Sequence, residues 1–287
     1  MSGSIFVGVD TGATHTRVRA GDKYLSFPTP PRYSDYLAAL SGVLEGLSAI
    51  DRVVIALPTV VEGQRMLRPP NLGPGWEEGD LRDDLRRAAN IAIGEVVLVQ
   101  DTEAAGYGVL HRDGPKALPS LLITLSSGLG GALLSESGVR PLEVGHMILD
   151  LSGRGAQCGC GQVGCVEADL SGFAITKWLA TDPEEAPLTF WASYGELLGR
   201  FLCALAPLFL AKEILLMGGV SNQADQFLPT CRTWVREHVR RMAPPSVSVV
   251  ANSDMVGAYG ALVIAKGRQP TRGVLSRSKK GLINGDI

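Results

Sequence analysis

A histidine followed by three closely spaced cysteines is the group of residues in this chain with the clearest chemistry. The four residues are His146, Cys158, Cys160 and Cys165. One imidazole and three thiols are a complete ligand set for tetrahedral zinc, and four protein ligands leave no open position on the ion. The glycines between the cysteines allow the backbone to fold tightly around an ion. A disulfide framework is the alternative, but a tight cysteine group in a cytosolic chain is more often a metal site.

Acidic side chains stand where a reactive cleft would need them. Glu143 and Glu167 bracket the cysteine cluster, so a zinc knuckle would fix both carboxylates in place. Asp101 directly follows the predicted strand Val96–Gln100. A carboxylate at the end of a strand, facing a cleft, can accept the proton of a substrate hydroxyl during phosphoryl transfer. The alternative for Asp101 is a helix N-cap, and the two roles are compatible.

Two turns between predicted strands could bind phosphate groups. Their candidate residues are Asp10, Gly12, Ala13, Thr14 and His15 in the first turn, and Ser127, Gly128, Gly130 and Gly131 in the second, which is predicted to run from Ser126 to Gly131. Successive backbone N–H groups in such turns can hold an anion, and the carboxylate of Asp10 could hold Mg²⁺ directly or through water. The first turn lacks the Gly-Lys-Ser/Thr ending of a Walker A loop, and an ordinary hairpin turn is its alternative.

A third glycine motif follows the predicted strand Ile214–Met217. Gly218 and Gly219 end that strand and open a predicted helix. Glycines permit flat contact with a ring, and a helix N-terminus favours nearby negative charge. A nucleotide could bind at this motif, and a plain strand-to-helix turn is the alternative.

Composition limits the classes of function. The chain has 287 residues, of which 45% are hydrophobic and 20% charged, and its net charge is −2. This balance is typical of a globular protein and creates no field that would attract nucleic acid or anionic lipid. The longest apolar run, Phe201–Ala211, is too short to span a bilayer, and no signal segment precedes the first predicted strand. We therefore expect a cytoplasmic protein that binds neither nucleic acid nor membrane.

The order of the predicted elements indicates two domains. A strand, a glycine turn and a second strand begin near Ile5, and the same plan recurs near Ser120 ahead of further α/β structure. Two α/β domains around a cleft are the natural interpretation, with a smaller domain at residues 1–118 and a larger one at residues 119–287. The last twenty residues are polar and basic and are expected to form a loosely attached tail. Long helices are predicted at Tyr36–Ile50, Phe190–Leu210 and Asn222–Met242, and residues 59–80 are predicted to be rich in loops.

Together these residues resemble the ROK family of sugar kinases and sugar-responsive repressors, within the actin-like ATPase superfamily. The most specific match is Glu143-Val-Gly-His146 followed by Cys158-x-Cys160-Gly-x-x-Gly-Cys165-x-Glu167. The turn at Asp10, the segment Pro70-Asn71-Leu72, Asp101, the turn at Ser127 and the pair Gly218-Gly219 stand in the order that the family has. The similarity extends from about Ile5 to Ala265, which is nearly the whole chain.

The resemblance implies a fold and an activity. The fold would be two actin-like ATPase (ribonuclease H-like) domains around a cleft, with a zinc knuckle and a final helix that can cross back to the first domain. The activity would be ATP- and Mg²⁺-dependent phosphorylation of a hexose, most simply glucose at its primary hydroxyl to give a 6-phosphate, by a homodimer. Asp101 would be the catalytic base, and His146 would also be a ligand of a structural zinc ion. The implied sugar contacts are Asn71, Gln100, Asp101, Glu143, His146 and Glu167.

The chain departs from the family pattern around the implied sugar site. Gln100 stands where the family usually has asparagine, Thr59 where it has glycine, and Ala13 where a second glycine is usual. We therefore expect an enzyme that accepts glucose but discriminates loosely among hexoses and amino sugars. The alternatives are a kinase for an amino sugar or another sugar derivative, and a non-catalytic sugar-binding or regulatory protein. A repressor with a winged helix-turn-helix is disfavoured because the first predicted strand begins at residue 5.

Overall fold

The computed structural model describes most of the chain. The described residues are 4–47, 49–67, 69, 72–76, 79–150, 152–179 and 185–267. The predictions made for Asn71 in the sugar loop and for the basic C-terminal tail lie outside these residues.

Five strands form the first sheet, in the order β3-β2-β1-β4-β7. The antiparallel strands are β1 (Phe6–Thr11), β2 (His15–Ala20) and β3 (Lys23–Pro28), and the parallel strands that extend them are β4 (Ile50–Leu57) and β7 (Ile93–Gln100). A separate short hairpin consists of β5 (Val61–Glu62) and β6 (Arg65–Met66), and the helices of this part are α1 (Tyr33–Glu45), α2 (Leu81–Ala88) and α3 (Asp101–Arg112). The interior strand β4, between β1 and β7, is rich in β-branched residues and mostly buried, as expected for a parallel strand covered on both faces.

A second five-stranded sheet repeats this plan, in the order β10-β9-β8-β11-β12. Its antiparallel strands are β8 (Ser120–Leu125), β9 (Leu129–Ser135) and β10 (Gly138–Leu142), and its parallel strands are β11 (Glu213–Met217) and β12 (Ser246–Val249). The helices that follow β10 are α4 (Glu167–Leu170), α5 (Gly172–Leu179), α6 (Leu188–Phe209), α7 (Ala224–His238) and α8 (Val256–Ala265). The repeated strand-turn-strand plan and the α/β fold class are thus confirmed.

Apolar residues at helical spacing bury α6 and α7 against the second sheet. Trp191 and Phe201 of α6 and Phe227 of α7 are at most 1% exposed. They belong to one cluster with the residues on one face of β8 and β11, among them Leu121 and Ile214. Burying an aromatic or aliphatic side chain of this size contributes about 1.5–3 kcal/mol each. The second sheet therefore provides a rigid base for the residues at the ends of its strands.

Close backbone contacts join α8 to the first sheet and to α3. A Cβ atom built on Gly8 of β1 would lie 2.2 Å from the amide nitrogen of Leu262. One built on Gly260 of α8 would lie 1.7 Å from the carbonyl oxygen of Ala104 in α3. Only glycine can occupy such positions without moving a backbone, so α8 packs directly on β1 and α3 although it follows the second sheet in the chain.

α3 lies between the two sheets and contacts both. A Cβ atom on its Gly106 would come 2.5 Å from Cγ1 of Val139 in β10. On the same helix, Ala105 and Val109 are buried in a cluster with Leu122 of β8. α3 begins directly at the end of β7 in the first sheet. Its contacts with the second sheet therefore fix the position of the end of β7 relative to that sheet.

Several element boundaries differ from the predictions. α1 ends at Glu45 and not at Ile50, because Ile50 begins β4 and pairs with Ile93 of β7. α7 begins at Ala224, after a 3₁₀ turn at Gly219–Gln223, and ends at His238, so the predicted helix Asn222–Met242 was too long at both ends.

Two strand features were also not predicted. β10 is an edge strand that contains Pro141, and proline weakens a strand pattern in the sequence while being tolerated at an edge. The hairpin Val61–Met66 lies within the segment predicted to be rich in loops. No helix in the described part of the chain combines the length and the apolar character needed to cross a bilayer.

The contact between Gly260 and Ala104 leads to a testable expectation. Gly260→Ala should destabilise the protein by about 1–3 kcal/mol or more, because the added methyl group meets a backbone oxygen that cannot move away. The matched control is Gly42→Ala in α1, where an added Cβ meets nothing within 4 Å and should stabilise the helix by about 0.5–1 kcal/mol. Urea denaturation measures the change in the free energy of unfolding for both variants. Equal changes in Gly260→Ala and Gly42→Ala would refute the contact.

Candidate active site

Two carboxylates from the first sheet lie at the proposed reaction centre. Asp10 is near the end of β1, and Asp101 directly follows β7 as the first residue of α3. An oxygen of Asp101 accepts a hydrogen bond of 2.7 Å from the amide of Thr102. The N-cap of α3 is Gln100, whose side chain does not cap the helix, so the alternative that Asp101 is the N-cap is wrong by one position.

Burial raises the pKa of both carboxylates, and nearby negative charge raises that of Asp101 further. Burial raises the pKa of Asp101 to about 7; the charges of Asp10 and Glu143 add to this, and the amide of Thr102 opposes it. Burial raises the pKa of Asp10 to about 6, against the attraction of Arg17. A carboxyl group that titrates near neutral pH combines a large ionised fraction with high basicity, which is what a general base needs.

Arg17 is a charged residue of this site that sequence reasoning missed. It lies directly opposite Asp10 in the register of the β1–β2 hairpin. One of its guanidinium nitrogens lies 3.6 Å from a carboxylate oxygen of Asp254, just before α8. Register in a hairpin places directly opposed residues on the same face of the sheet. The alternation of basic residues with Thr16 and Val18 along β2 was the sequence signal that could have identified it.

Gln100 connects the two sheets across the site. Its side-chain amide donates a hydrogen bond of 2.7 Å to Oε1 of Glu143, which follows β10. The other carboxylate oxygen of Glu143 lies 3.9 Å from Nε2 of His146. Glu143 therefore stands between the end of β7, where Asp101 begins α3, and the cysteine cluster.

The four predicted metal ligands come together. One ligand atom each from His146, Cys158, Cys160 and Cys165 lies within 4.8 Å of all the others. Nδ1 of His146 is 3.7 Å from Sγ of Cys158, and the sulfur atoms of Cys160 and Cys165 are also 3.7 Å apart. Metal–sulfur bonds of about 2.3 Å in tetrahedral geometry place two sulfur ligands roughly 3.8 Å apart.

The chemistry of these ligands also fits zinc. Burial raises the pKa of Cys158 and of Cys165, so both are protonated at neutral pH unless a cation replaces the protons. Gly161 and Gly164 have φ values of 92° and 82°, a conformation that glycine adopts readily and that closes the knuckle. With Nδ1 of His146 directed to the cluster, its Nε2 faces Glu143 and is free to carry the proton.

Glu167 is held between the knuckle and the second sheet. Its Oε2 accepts a hydrogen bond of 2.9 Å from the amide of Leu129 at the start of β9. Its Oε1 lies 3.6 Å from Sγ of Cys158. The knuckle thus positions this carboxylate, as predicted, but one of its oxygens is already bonded to the protein.

The second glycine turn is shorter than predicted. Gly130 and Gly131 lie in β9, and the amide of Gly130 donates to Oγ1 of Thr124 at 3.1 Å. A Cβ atom on Gly130 would lie 2.7 Å from the methyl group of Thr102, so this glycine makes room for the start of α3. Ser127 and Gly128 remain in the turn itself, which a bond of 3.0 Å from the amide of Ser126 to the carbonyl of Gly128 closes.

The first turn is also shorter than predicted, because Asp10 lies in β1 and His15 begins β2. The amide of Gly12 donates to the carbonyl of His15 at 3.0 Å, which closes a tight turn between β1 and β2. Thr14 and His15 are exposed, and Gly12 and Ala13 are half-buried. The turn therefore presents its backbone to the surface directly beyond Asp10.

The Gly218–Gly219 turn lies against the second glycine turn. Gly218 has a φ of 99°, and a Cβ atom on it would come 2.4 Å from the carbonyl oxygen of Leu125. Beyond it is a cavity of about 490 Å³, lined by Ser221, Asn222, Ala224, Asp225, Leu228, Arg232, Ser248 and Val249. The hydroxyl of Ser221 is buried, and no described residue forms a hydrogen bond with it. This cavity has the size and polarity to take part of a nucleoside.

Comparison with known proteins agrees with this geometry. The family model described as "ROK family" matches residues 6–268. The N-acetylmannosamine kinase of Yersinia pestis (strain Pestoides F) is 30% identical over 218 residues, which cover 66% of this chain and 72% of that protein.

Solved structures share the fold. A ROK family glucokinase from Streptomyces griseus in complex with glucose and AMPPNP has a TM-score of 0.76 and 23% identity, over 92% of this chain and 100% of that one. A ROK hexokinase from Thermus thermophilus has a TM-score of 0.69 and 23% identity, over 91% and 98% of the two chains. A ROK family transcriptional regulator, a homologue of the E. coli MLC protein, has a TM-score of 0.69 and 20% identity, over 92% and 81%. The predicted actin-like architecture is thus confirmed, and the chain belongs to the ROK family.

Proposed function

We propose that this protein is an ATP-dependent sugar kinase that phosphorylates a hexose or an amino sugar. The observation that carries the proposal is the carboxyl group of Asp101, which has a pKa raised to about 7 at the end of β7 and lies close enough to Asp10 and Glu143 to be affected by their charges. A regulator that only binds sugar has no need for a base of this kind. The named kinases among the relatives support the same activity.

The proposed acceptor site is formed by the residues around Glu143. Gln100, Glu143, His146 and Glu167 would bind sugar hydroxyls, together with Asn71, which lies outside the described residues. The relatives include enzymes named for N-acetylmannosamine and for glucose, so the proposal covers both classes of acceptor. Glucose, phosphorylated at its primary hydroxyl, is the acceptor we put first.

In the proposed reaction Asp101 takes the proton of the sugar hydroxyl as that oxygen attacks the γ-phosphorus of ATP. The bond between this phosphorus and the β–γ bridging oxygen breaks, and ADP leaves with the electron pair. Ala13, Thr14 and His15 at the first turn, with Ser127 and Gly128 of the second, would bind phosphate oxygens through backbone and hydroxyl groups. Gly12 would shape the first turn, since its amide is already bonded to the carbonyl of His15. Mg²⁺ bound at Asp10 would neutralise phosphate charge, and Gly218 and Gly219 would contact the nucleoside. Zinc would hold His146 through Nδ1, which leaves Nε2–H to donate to a sugar hydroxyl.

A second candidate function is sugar-responsive regulation without catalysis. It is favoured by the structural likeness to the ROK family transcriptional regulator. The division into domains at residues 118 and 119, a homodimeric assembly and a cytoplasmic location stay predictions.

A screen of ATP consumption over a panel of sugars tests the function directly. We expect turnover with glucose and, at comparable kcat/KM, with other hexoses or amino sugars, because Gln100 and Thr59 alter the family's sugar site. Strict specificity for glucose would contradict the expected breadth. Turnover with only a non-hexose acceptor would overturn the substrate class, and no turnover with any sugar would favour the regulatory function.

Asp101→Asn separates the base from a structural role. The amide keeps the shape of the side chain but cannot accept the proton, so kcat should fall by roughly 10²–10⁴-fold while sugar binding remains. In the wild-type protein kcat/KM should rise with pH up to about 7, because only ionised Asp101 can act as base. Steady-state kinetics measures kcat, and calorimetry measures the affinity for glucose. Near-normal turnover in Asp101→Asn would exclude Asp101 as the base.

The same variant should be more stable than the wild type above neutral pH. Folded Asp101 keeps its proton up to about pH 7 and the unfolded chain loses it near the ordinary value of 3.8, so wild-type stability falls between these values. The difference in Tm between Asp101→Asn and wild type should therefore grow from about pH 5 to about pH 7 and level off above it. Asp35→Asn, at an exposed position of α1, is the control and should give no such growth.

Cys160→Ser tests the metal site. Removing one of the four ligands should lower zinc content from about one ion per chain, and the sugar KM should rise because His146 and Glu167 lose their support. Cys203→Ser, on α6 and outside the cluster, should leave the zinc content and the sugar KM unchanged. Elemental analysis checks the metal content, and an active wild-type protein without zinc would contradict the assignment.

A further inference from the structure

The bond between Gln100 and Glu143 occupies the position proposed for the sugar. The amide nitrogen of Gln100 lies 2.7 Å from Oε1 of Glu143 in the sugar-free structure. Gln100 is the last residue of β7 and precedes Asp101, and Glu143 lies beside His146. A sugar that reaches both Asp101 and the zinc knuckle must therefore meet this pair of side chains.

A sugar hydroxyl can replace this bond without loss of partners. A hydroxyl group both donates and accepts, so it can donate to Oε1 of Glu143 and accept from the amide of Gln100. One hydrogen bond between the two side chains is then exchanged for two bonds to the sugar. Gln100 and Glu143 are paired in both states.

A sugar that lacks this hydroxyl also leaves both side chains paired. Enzymes reject deoxy analogues because the groups that should bind the missing hydroxyl are left buried and unpaired, which can give discrimination of about 10⁴–10⁵. Here the direct bond at 2.7 Å re-forms when the hydroxyl is absent. The usual penalty for the missing group is therefore removed at this one position of the sugar ring.

We propose that Gln100 is a specificity-determining residue, whose bond to Glu143 makes the site tolerant of sugars lacking or replacing the hydroxyl that faces this pair. The inference rests on the proposed sugar site and specifies the acceptor class: hexoses together with their deoxy and acylamino derivatives at that carbon. The extra methylene of glutamine relative to asparagine provides the reach that the direct bond requires. An asparagine at position 100 would leave Glu143 without this partner when the hydroxyl is missing.

The test compares glucose with its 1-, 2-, 3- and 4-deoxy analogues in wild type, Gln100→Asn and Gln100→Ala. Calorimetric binding without ATP and kcat/KM with ATP are measured for each sugar. In the wild type, one analogue should bind within about tenfold of glucose, because its missing hydroxyl leaves no group unpaired. In both variants the preference for glucose over that same analogue should increase about tenfold or more.

The other deoxy positions are the internal control. For these analogues, the Kd and kcat/KM relative to glucose should be the same in all three proteins, since in this proposal Gln100 faces only one hydroxyl. Zinc content and Tm of the variants show whether they are folded. A wild-type enzyme that rejects every deoxy analogue by more than about a thousandfold would overturn the inference. Ratios that do not change in either variant would overturn it as well.

The outcomes also separate this inference from the proposed activity. If glucose is phosphorylated but the preference for glucose over each deoxy analogue is unchanged in the variants, the kinase function stands and the role of Gln100 is overturned. The predicted pattern in binding, without turnover of any sugar, supports the role of Gln100 and overturns the kinase function. Absence of binding by every sugar tested would overturn both.

Discussion

The direct backbone contact between α3 and α8 is the constraint on which the rest of the structure depends. Because Gly260 allows α8 to lie against Ala104, the last helix returns to the first sheet and α3 is held between the sheets. At its start α8 places Gly257 against Asp10, where a Cβ atom would come 2.3 Å from the carboxylate. At its own start α3 carries Asp101. The ends of β1 and β7 thus contribute carboxylates to the same site.

The site holds more negative charge than its described residues neutralise locally. Burial raises the pKa of both Asp10 and Asp101, the charges of Asp10 and Glu143 raise that of Asp101 further, and Arg17 acts only on Asp10. Such an arrangement costs stability at neutral pH and is characteristic of reaction centres. The cysteine cluster has the complementary role, since it contacts His146, while the second sheet holds Glu167 through the amide of Leu129. The carboxylates for the chemistry therefore come from the first sheet, whereas the residues proposed to recognise the sugar come from both sheets.

The sequence was sufficient where the relevant residues are close in the chain or follow a strong periodicity. The cysteine cluster was predicted because its spacing is local, and both sheets because their strands are long and apolar. The edge strand β10 was missed because Pro141 breaks its pattern. The bond from Gln100 to Glu143 joins residues 43 positions apart in two different sheets, so only the packing of α3 reveals it. Gly130 was misplaced because a glycine that makes room for Thr102 looks the same in a sequence as one in a turn.

The central claim is that the pKa of Asp101 is raised to near neutral pH, so that its carboxylate can act as a base. The most direct measurement is a titration of the aspartate carboxyl ¹³C resonances by NMR in the protein without Mg²⁺, nucleotide or sugar, with Asp101→Asn used to assign the signal. Asp10 and Asp101 influence each other, so the pair titrates with two apparent pKa values. The structure predicts values of about 6 and about 7, of which the variant loses one. A resonance of Asp101 that titrates near the ordinary value of 3.8 would contradict the account.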